Sequence, residues 1–366
     1  MKSSLEAARD AAIRWLLHSG VRNADGPLSG SFNAWHDRTW GWAYSEVTGY
    51  GITLLCDLHE RDPSLEKMTA AVSAGHWLLL QSRSGRACRC RHLPEAGWLD
   101  HLCAFDNGMI LNALCHLFRA TGDQMWLEAA VEIANWLTDT MSLPDGGLVA
   151  KRGSNGGIPE TPERWSSRTG PYQAKVSLGL AHLARCTGNG AHALAAVSLC
   201  QWALRFQRPD GRFVTDVVLG DTYLHAHCYV VEGLLATAAL TGSQELVAPA
   251  MAALEWMRSA ETTDGGLSRR FNAGAFEAEE HADSTAQGLR LLALAGTCTD
   301  RIQVMASRFL ELQCLDGDPS RHGGFRYGRR GTEFTHNVTT HGTIFAIQVL
   351  DMCLRGTAGF DWASLV

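Results

Sequence analysis

Histidines are the residues whose type and spacing first suggest chemistry in this sequence. Fifteen occur in 366 residues, and several stand in short polar stretches just ahead of apolar runs. His225 and His227 lie in YLHAHCYVVEGLL, His281 precedes Asp283 in HADST, and His336 and His341 lie in THNVTTHG. Imidazole titrates near neutral pH, so histidines gathered beside carboxylates form tunable acid–base pairs. His225 or His227 suits a base that removes a proton, with His281 or His341 as the partner acid. Asp106 in AFDNG and Asp283 can orient hydroxyls, or act as the catalytic pair of a hydrolytic reaction. A well-placed proton-transfer group is worth roughly 10²–10⁴ in rate when its pKa lies near the working pH. A single histidine in such a place is ordinarily a satisfied core residue; the grouping argues for more.

Residues suited to binding accompany them. The segment WHDRTWGWAYSE supplies Trp40, Trp42, Tyr44 and Glu46, and other polar starts supply Asp100, His101, Tyr172, Asp221, Tyr327, His336 and Asn337. Aromatic faces beside carboxylates suit a sugar, whose C–H groups stack on rings while its hydroxyls bond to charged groups. The plainer alternative is that the indoles merely plug one end of the fold. Arg152, Arg168, Lys175 and Arg326 are candidates for a substrate carboxylate. No metal site and no cofactor are expected. Cys88, Cys90 and His92 in RACRCRH lack a second cysteine pair, and Asp221, His225 and Cys228 do not have a diagnostic zinc spacing.

The elements that must position these residues repeat along the chain about every 52 to 66 residues. One half of the unit is an amphipathic helix ending at a turn, as in AGHWLLLQSRSG, IANWLTDTMSLPDGG, CQWALRFQRPDGRF and LEWMRSAETTDGG. Asp-Gly forms turns because Gly takes positive φ and Asp bonds its own backbone. The other half is a Gly- and Ala-rich apolar helix, beginning near Ser45, Phe105, Tyr172, Thr222, Ala282 and Thr335. Glycines such as Gly108, Gly179 and Gly233 each cost a helix about 1 kcal/mol against Ala, which is tolerable where helices crowd. Six outer and six inner helices predict an all-α (α/α)6 toroid occupying residues 1–366 as a single domain. An open solenoid is the alternative, disfavoured because no polar capping repeat stands at either end. Parallel inner helices would bring the long loops, and every candidate above, to one face. The helix N-termini there favour anionic groups.

Bulk properties narrow the function. The net charge of −6 is spread without a basic stripe, so no nucleic-acid partner is expected. The amphipathic first segment carries charges and no later run approaches a membrane span, which predicts a cytoplasmic protein with no membrane partner. Eleven cysteines, an odd number in a long chain, read as buried free thiols.

FDNGMILNALCHLFRATGDQMWLEAAVEIANWL, YSEVTGYGITLL and HADSTAQGLRLLAL resemble the repeats of bacterial six-hairpin toroids that act on sugars. These are the N-acylglucosamine 2-epimerase-like proteins and the unsaturated-glucuronyl hydrolases; THNVTTHGTIFAIQVL also resembles the last helices of glucuronyl C5-epimerases. The epimerase resemblance implies a histidine pair moving a proton beside a carbonyl, which falls on His225, His227, His281 and His341. In that group an acidic residue closely follows the histidine, whereas here Glu232 comes a turn or more later. The hydrolase resemblance implies paired aspartates, falling on Asp106 and Asp283. QRPDGRF resembles a motif of terpene cyclases and prenyltransferases, but the Asp-x-Asp-Asp cluster of the protonating cyclases is missing. Toroids of this kind also bind glycans without catalysis in exopolysaccharide biosynthesis. The expectation is a protein acting on a sugar or uronate-containing oligosaccharide by acid–base chemistry, in polysaccharide biosynthesis, with a small-molecule sugar as its partner.

Overall fold

The computed structural model describes residues 2–23, 26–28, 31–33, 39–83, 87–93, 97–99, 101–153, 155–159, 164–296 and 299–366. Its helices alternate outer and inner in chain order: α1 (Lys2–His18), α2 (Ser45–Arg61), α3 (Leu65–Gln81), α4 (Ala104–Thr121), α5 (Gln124–Trp136), α6 (Val176–Thr187), α7 (Gly190–Leu204), α8 (Leu224–Thr241), α9 (Val247–Arg258), α10 (Ala282–Leu294), α11 (Thr299–Phe309) and α12 (Thr340–Arg355). Burial separates the two rings. Inner α4 buries every residue from Ala104 to Leu117, whereas outer α5 buries only Trp126, Ala130, Ile133, Ala134 and Trp136. The second pattern is the single apolar stripe of a helix with one face in water.

Each even-numbered helix packs on the next, α12 packs on α2, and α1 covers α12, so the ring is closed. The inner contacts are tight enough to need glycine. A Cβ at Gly233 of α8 would lie 2.2 Å from the carbonyl oxygen of Ala174. The short inner-to-outer connections use one device. Gly122 ends α4 with φ +74°, Thr121 Oγ1 accepts the Asp123 N–H, and Asp123 caps α5 by accepting the Met125 N–H. Thr187, Gly188 and Asn189 repeat it between α6 and α7.

The long loops carry more structure than the sequence suggests. Ala43–Tyr44 pairs with Arg91–His92, Leu102–Cys103 with Lys151–Arg152, and Thr222–Tyr223 with Arg270–Phe271. Glu279–His281 pairs with Gly328–Arg330, and Val338–Thr339 with Phe325–Arg326. These ladders brace the inner helices just before they start, and they delay the last one to Thr340 rather than the expected Thr335. Tyr172 lies in a 3-10 turn, Pro171–Lys175, leading into α6.

At the opposite end of the ring the tail after α12 acts as a stopper. Ala363 O accepts from Asn112 Nδ2 at 3.0 Å and lies 2.9 Å from His116 Nε2, while Asp361 pairs with Arg119 and Arg185. Among the described residues no helix is long and apolar enough to cross a membrane.

Candidate functional site

Three inner helices bring one residue each from their first turn to a common point: His225 of α8, Asp283 of α10 and His341 of α12. His341 Nε2 lies 3.2 Å from Asp283 Oδ2, His225 Nδ1 lies 3.8 Å from the same oxygen, and the two imidazole centroids are 6.1 Å apart. The carboxylate is buried, while the imidazoles keep 19% and 24% of their side-chain surface in solvent. They are the groups a ligand in the ring mouth can touch.

One turn deeper lies a second layer that the sequence reading missed. Tyr229, Gln287 and Phe345 stand four residues after His225, Asp283 and His341, and Tyr50 stands four after Glu46. Residues i and i+4 share a helix face, so this spacing was the available signal. Tyr50 and Tyr229 join hydroxyl to hydroxyl at 2.9 Å, and Phe345 sets its edge on Tyr50. Gln287 settles a tautomer. Its amide nitrogen donates to the Glu232 carboxylate, which only accepts, so its Oε1 faces His225 Nδ1 at 2.6 Å. His225 Nδ1 therefore carries the hydrogen, and Nε2 of the neutral ring holds the free electron pair.

The electrostatics suit proton exchange. Burial pushes His225 below the ordinary imidazole range, against the opposing pull of Asp283. Burial alone would raise Asp283, but the charges of His225, His341 and His281 outweigh it and hold the carboxyl well below the usual range.

Beneath the second layer lies a closed ionic floor. Lys175 Nζ bonds Glu232 Oε2 at 2.9 Å, Arg290 pairs with the other oxygen of Glu232, and all three side chains are fully buried. Arg290 Nη1 also donates to Gln348 Oε1 at 2.9 Å. Lys175, expected to meet a substrate carboxylate, is thus corrected to a structural cation beneath the mouth.

Across the ring, Tyr44 donates to Glu46, and the Arg91 guanidinium lies 4.3 Å from the Tyr44 ring and 5.4 Å from that of Trp42. Asp106, in the first turn of α4, faces Cys90, and burial raises its carboxyl well above the usual range. The two candidate aspartates therefore have different surroundings: Asp106 faces a thiol and Glu46, Asp283 faces histidines.

Other candidates point elsewhere. His227 follows His225 by two residues, about 200° around the helix. It is fully buried behind α8, with Nε2 at 3.0 Å from Ala253 O and its ring on Trp256, and burial pushes it down to about 4. This corrects its expected place in the acid–base pair. Trp40 tilts its ring toward Trp15 of α1, centroids 6.1 Å apart. Arg152 donates to the carbonyls of Thr140 and Gly156, Arg168 pairs with Asp216, Asp221 with Arg270, and Arg326 donates to Gln313 O. Tyr172 donates to backbone carbonyls of its own loop. His281 packs its ring at a tilt on Tyr327, centroids 4.1 Å apart, and meets Glu279, at the rim on the Asp283 side. His101 and Asn337 each accept a neighbouring backbone N–H through their carbonyls, and His336 is exposed. Asp100 lies outside the described residues. Trp165, not foreseen, sets its edge 6.2 Å from His225 and stacks on Tyr223.

This architecture is that of the six-hairpin (α/α)6 toroids. No family model and no curated protein matches the chain. Among solved structures, a cellobiose 2-epimerase from Bacillus thermoamylovorans superposes with a TM-score of 0.78 at 10% identity, over 96% of this chain and 100% of that one. A D-mannose isomerase gives 0.72 at 14%, over 96% and 98% of the two chains. An unsaturated glucuronyl hydrolase from a Bacillus species gives 0.70 at 14%, over 97% and 98%. At such identities the likeness is one of fold.

Proposed function

We propose that this protein is a sugar epimerase or isomerase that transfers a proton at the carbon beside a carbonyl. The observation that carries the reading is the convergence of His225 and His341 on one buried carboxylate, Asp283, at the ring mouth. In the open-chain sugar, His225 Nε2 takes the C2 proton, and the C–H electron pair moves to form an enediolate. His341 returns a proton to the opposite face of C2 for epimerisation; for isomerisation the proton goes to C1 while the C2 hydroxyl hydrogen passes to O1. Asp283 stabilises whichever imidazole is charged, and Gln287 keeps His225 in the reactive tautomer. Trp165 supplies a ring face for the sugar, and the buried Tyr229 ring backs His225 from beneath. Charged groups at the mouth weigh against a terpenoid cavity.

The test is proton NMR in deuterated water with cellobiose, mannose, N-acylhexosamines and unsaturated uronyl disaccharides. Loss of the C2 proton signal, abolished in both His225→Asn and His341→Asn, is the expected result. Loss of a vinyl proton with release of a sugar would replace this reading with hydrolysis. Silence across the panel would leave a glycan-binding role.

A further inference from the structure

The side of the mouth opposite the histidines holds three metal-ligating groups that the proton-transfer chemistry does not use. Cys90 comes from the segment before α4, Cys103 is the residue immediately preceding α4, and Asp106 lies in its first turn. One donor atom from each lies within 4.8 Å of the other two. We propose that Cys90, Cys103 and Asp106 form a zinc site with an open fourth position.

Several independent observations support it. Asp106 is 4% exposed; its carboxyl meets the Cys90 thiol, yet its Oδ2 is buried without a hydrogen-bond partner. Such an oxygen is costly unless something binds it. The backbone around the donors is fixed: the Cys90 N–H donates to His101 O at 3.1 Å, its carbonyl accepts from Ser45 N at 3.0 Å, and Cys103 pairs with Lys151. The donor set is selective, because two thiolates with one carboxylate suit zinc rather than magnesium or calcium. Zinc bonds of about 2.3 Å to sulfur and about 2.0–2.2 Å to oxygen would draw the donors to separations of roughly 3.5–3.8 Å, a small contraction of the present cluster. Arg91 and Lys151 stand close enough to act electrostatically on the thiols and offset the surplus negative charge of such a ligand set. Cys103 is half-buried, so the fourth position is reachable by water or a ligand oxygen.

An ion here would staple the 87–93 segment to the start of α4. Sequence spacing hid the site, because Cys103 and Asp106 are distant from the Cys-x-Cys pair and meet it only through the pairing of loops. The inference stands apart from the epimerase reading, which needs no metal.

The experiment is metal analysis of the full chain purified under reducing conditions and loaded with Zn²⁺, with Co²⁺ loading as a spectroscopic probe. The expected result is one zinc per chain, a thiolate-to-cobalt charge-transfer band, and a higher Tm for zinc-loaded than for chelator-treated protein. Cys103→Ser and Asp106→Asn should each abolish retention of the metal, whereas Cys353→Ser, far along α12, should keep it. A folded, fully reduced protein that binds no zinc would overturn the proposal. So would zinc retained in Cys103→Ser, a cobalt spectrum without the thiolate band, or a Cys90–Cys103 disulfide that zinc does not displace under reducing conditions.

Discussion

Gln287 Oε1 accepts the Nδ1–H of His225 at 2.6 Å, and this bond decides which nitrogen of the imidazole can act as a base. The amide is itself oriented by Glu232, which is held ionised between Lys175 and Arg290. The buried floor thus reaches the mouth through one side chain. Replacing Gln287 with Leu removes the acceptor and frees the ring to adopt the other tautomer. We expect kcat to fall about tenfold or more, part of the roughly 10²–10⁴ that acid–base catalysis contributes, with KM changing less. Nitrogen NMR of His225 should show hydrogen appearing on Nε2. An unchanged tautomer together with unchanged kcat would remove Gln287 from the mechanism.

His227 makes the contrasting case. Packed behind α8, it should leave turnover per folded molecule unchanged when replaced by Gln, and a loss of turnover would return it to the site. Its role is in stability. Burial pushes both His227 and His116 down to about 4, below the unfolded value near 6.5. Between those values the unfolded chain binds more protons than the folded one, so stability rises with pH. The contribution is full above about 6.5 and is lost as pH falls toward 4, by about 3 kcal/mol at most for each residue. Urea unfolding at pH 7.5 and pH 5 should show a smaller difference in His227→Gln than in the parent chain.

The ring was legible in the sequence because its determinants are local. Thr-Gly caps, Asp-Gly turns and apolar runs recur with the helix pair, and each inner start but the last lies within a few residues of expectation. The candidate site was legible only in part. His225, His341 and Asp283 could be named, since polar residues at the starts of apolar helices stand out. Their pairing, and the separation of His225 from His227, depend on helix phase, which a Gly- and Ala-rich helix that is apolar on all sides does not reveal. Lys175 is not legible for a related reason: its counter-charge Glu232 lies on another helix, and nothing near it in sequence shows that it is neutralised.

Close approach between inner helices predicts an asymmetry among glycines. A Cβ at Gly233 meets the backbone oxygen of Ala174 at 2.2 Å, so Gly233→Ala must displace the turn carrying Tyr172 and Lys175. We expect it to destabilise by about 1–3 kcal/mol through overpacking, with a lower Tm. Gly122→Ala meets open space and bears only the left-handed backbone penalty of about 1–2 kcal/mol. Only the first should also disturb activity, because only it moves residues beneath the mouth. Equal effects of both on activity would mean that the contact at Gly233 relaxes freely.

The ionic floor predicts an order of severity. Glu232 is one anion between two buried cations, Lys175 and Arg290. Glu232→Gln would remove the carboxylate that both cations share, leaving Lys175 only its bond to Val366 O, and breaking a buried pair in this way costs about 3–5 kcal/mol. Lys175→Met removes one cation, leaves Glu232 balanced by Arg290, and fills the space with an unbranched apolar chain, so it should cost less. Burial also pushes the Lys175 amine down to about 8, which places it closer to the neutral form than an exposed lysine. Chemical denaturation of the two variants should therefore rank Glu232→Gln as the weaker protein, with Lys175→Met retaining its affinity for substrate. If Lys175→Met were instead as stable as the parent chain but lost binding of an acidic sugar, the lysine would have to reach the mouth, and the floor described here would be open.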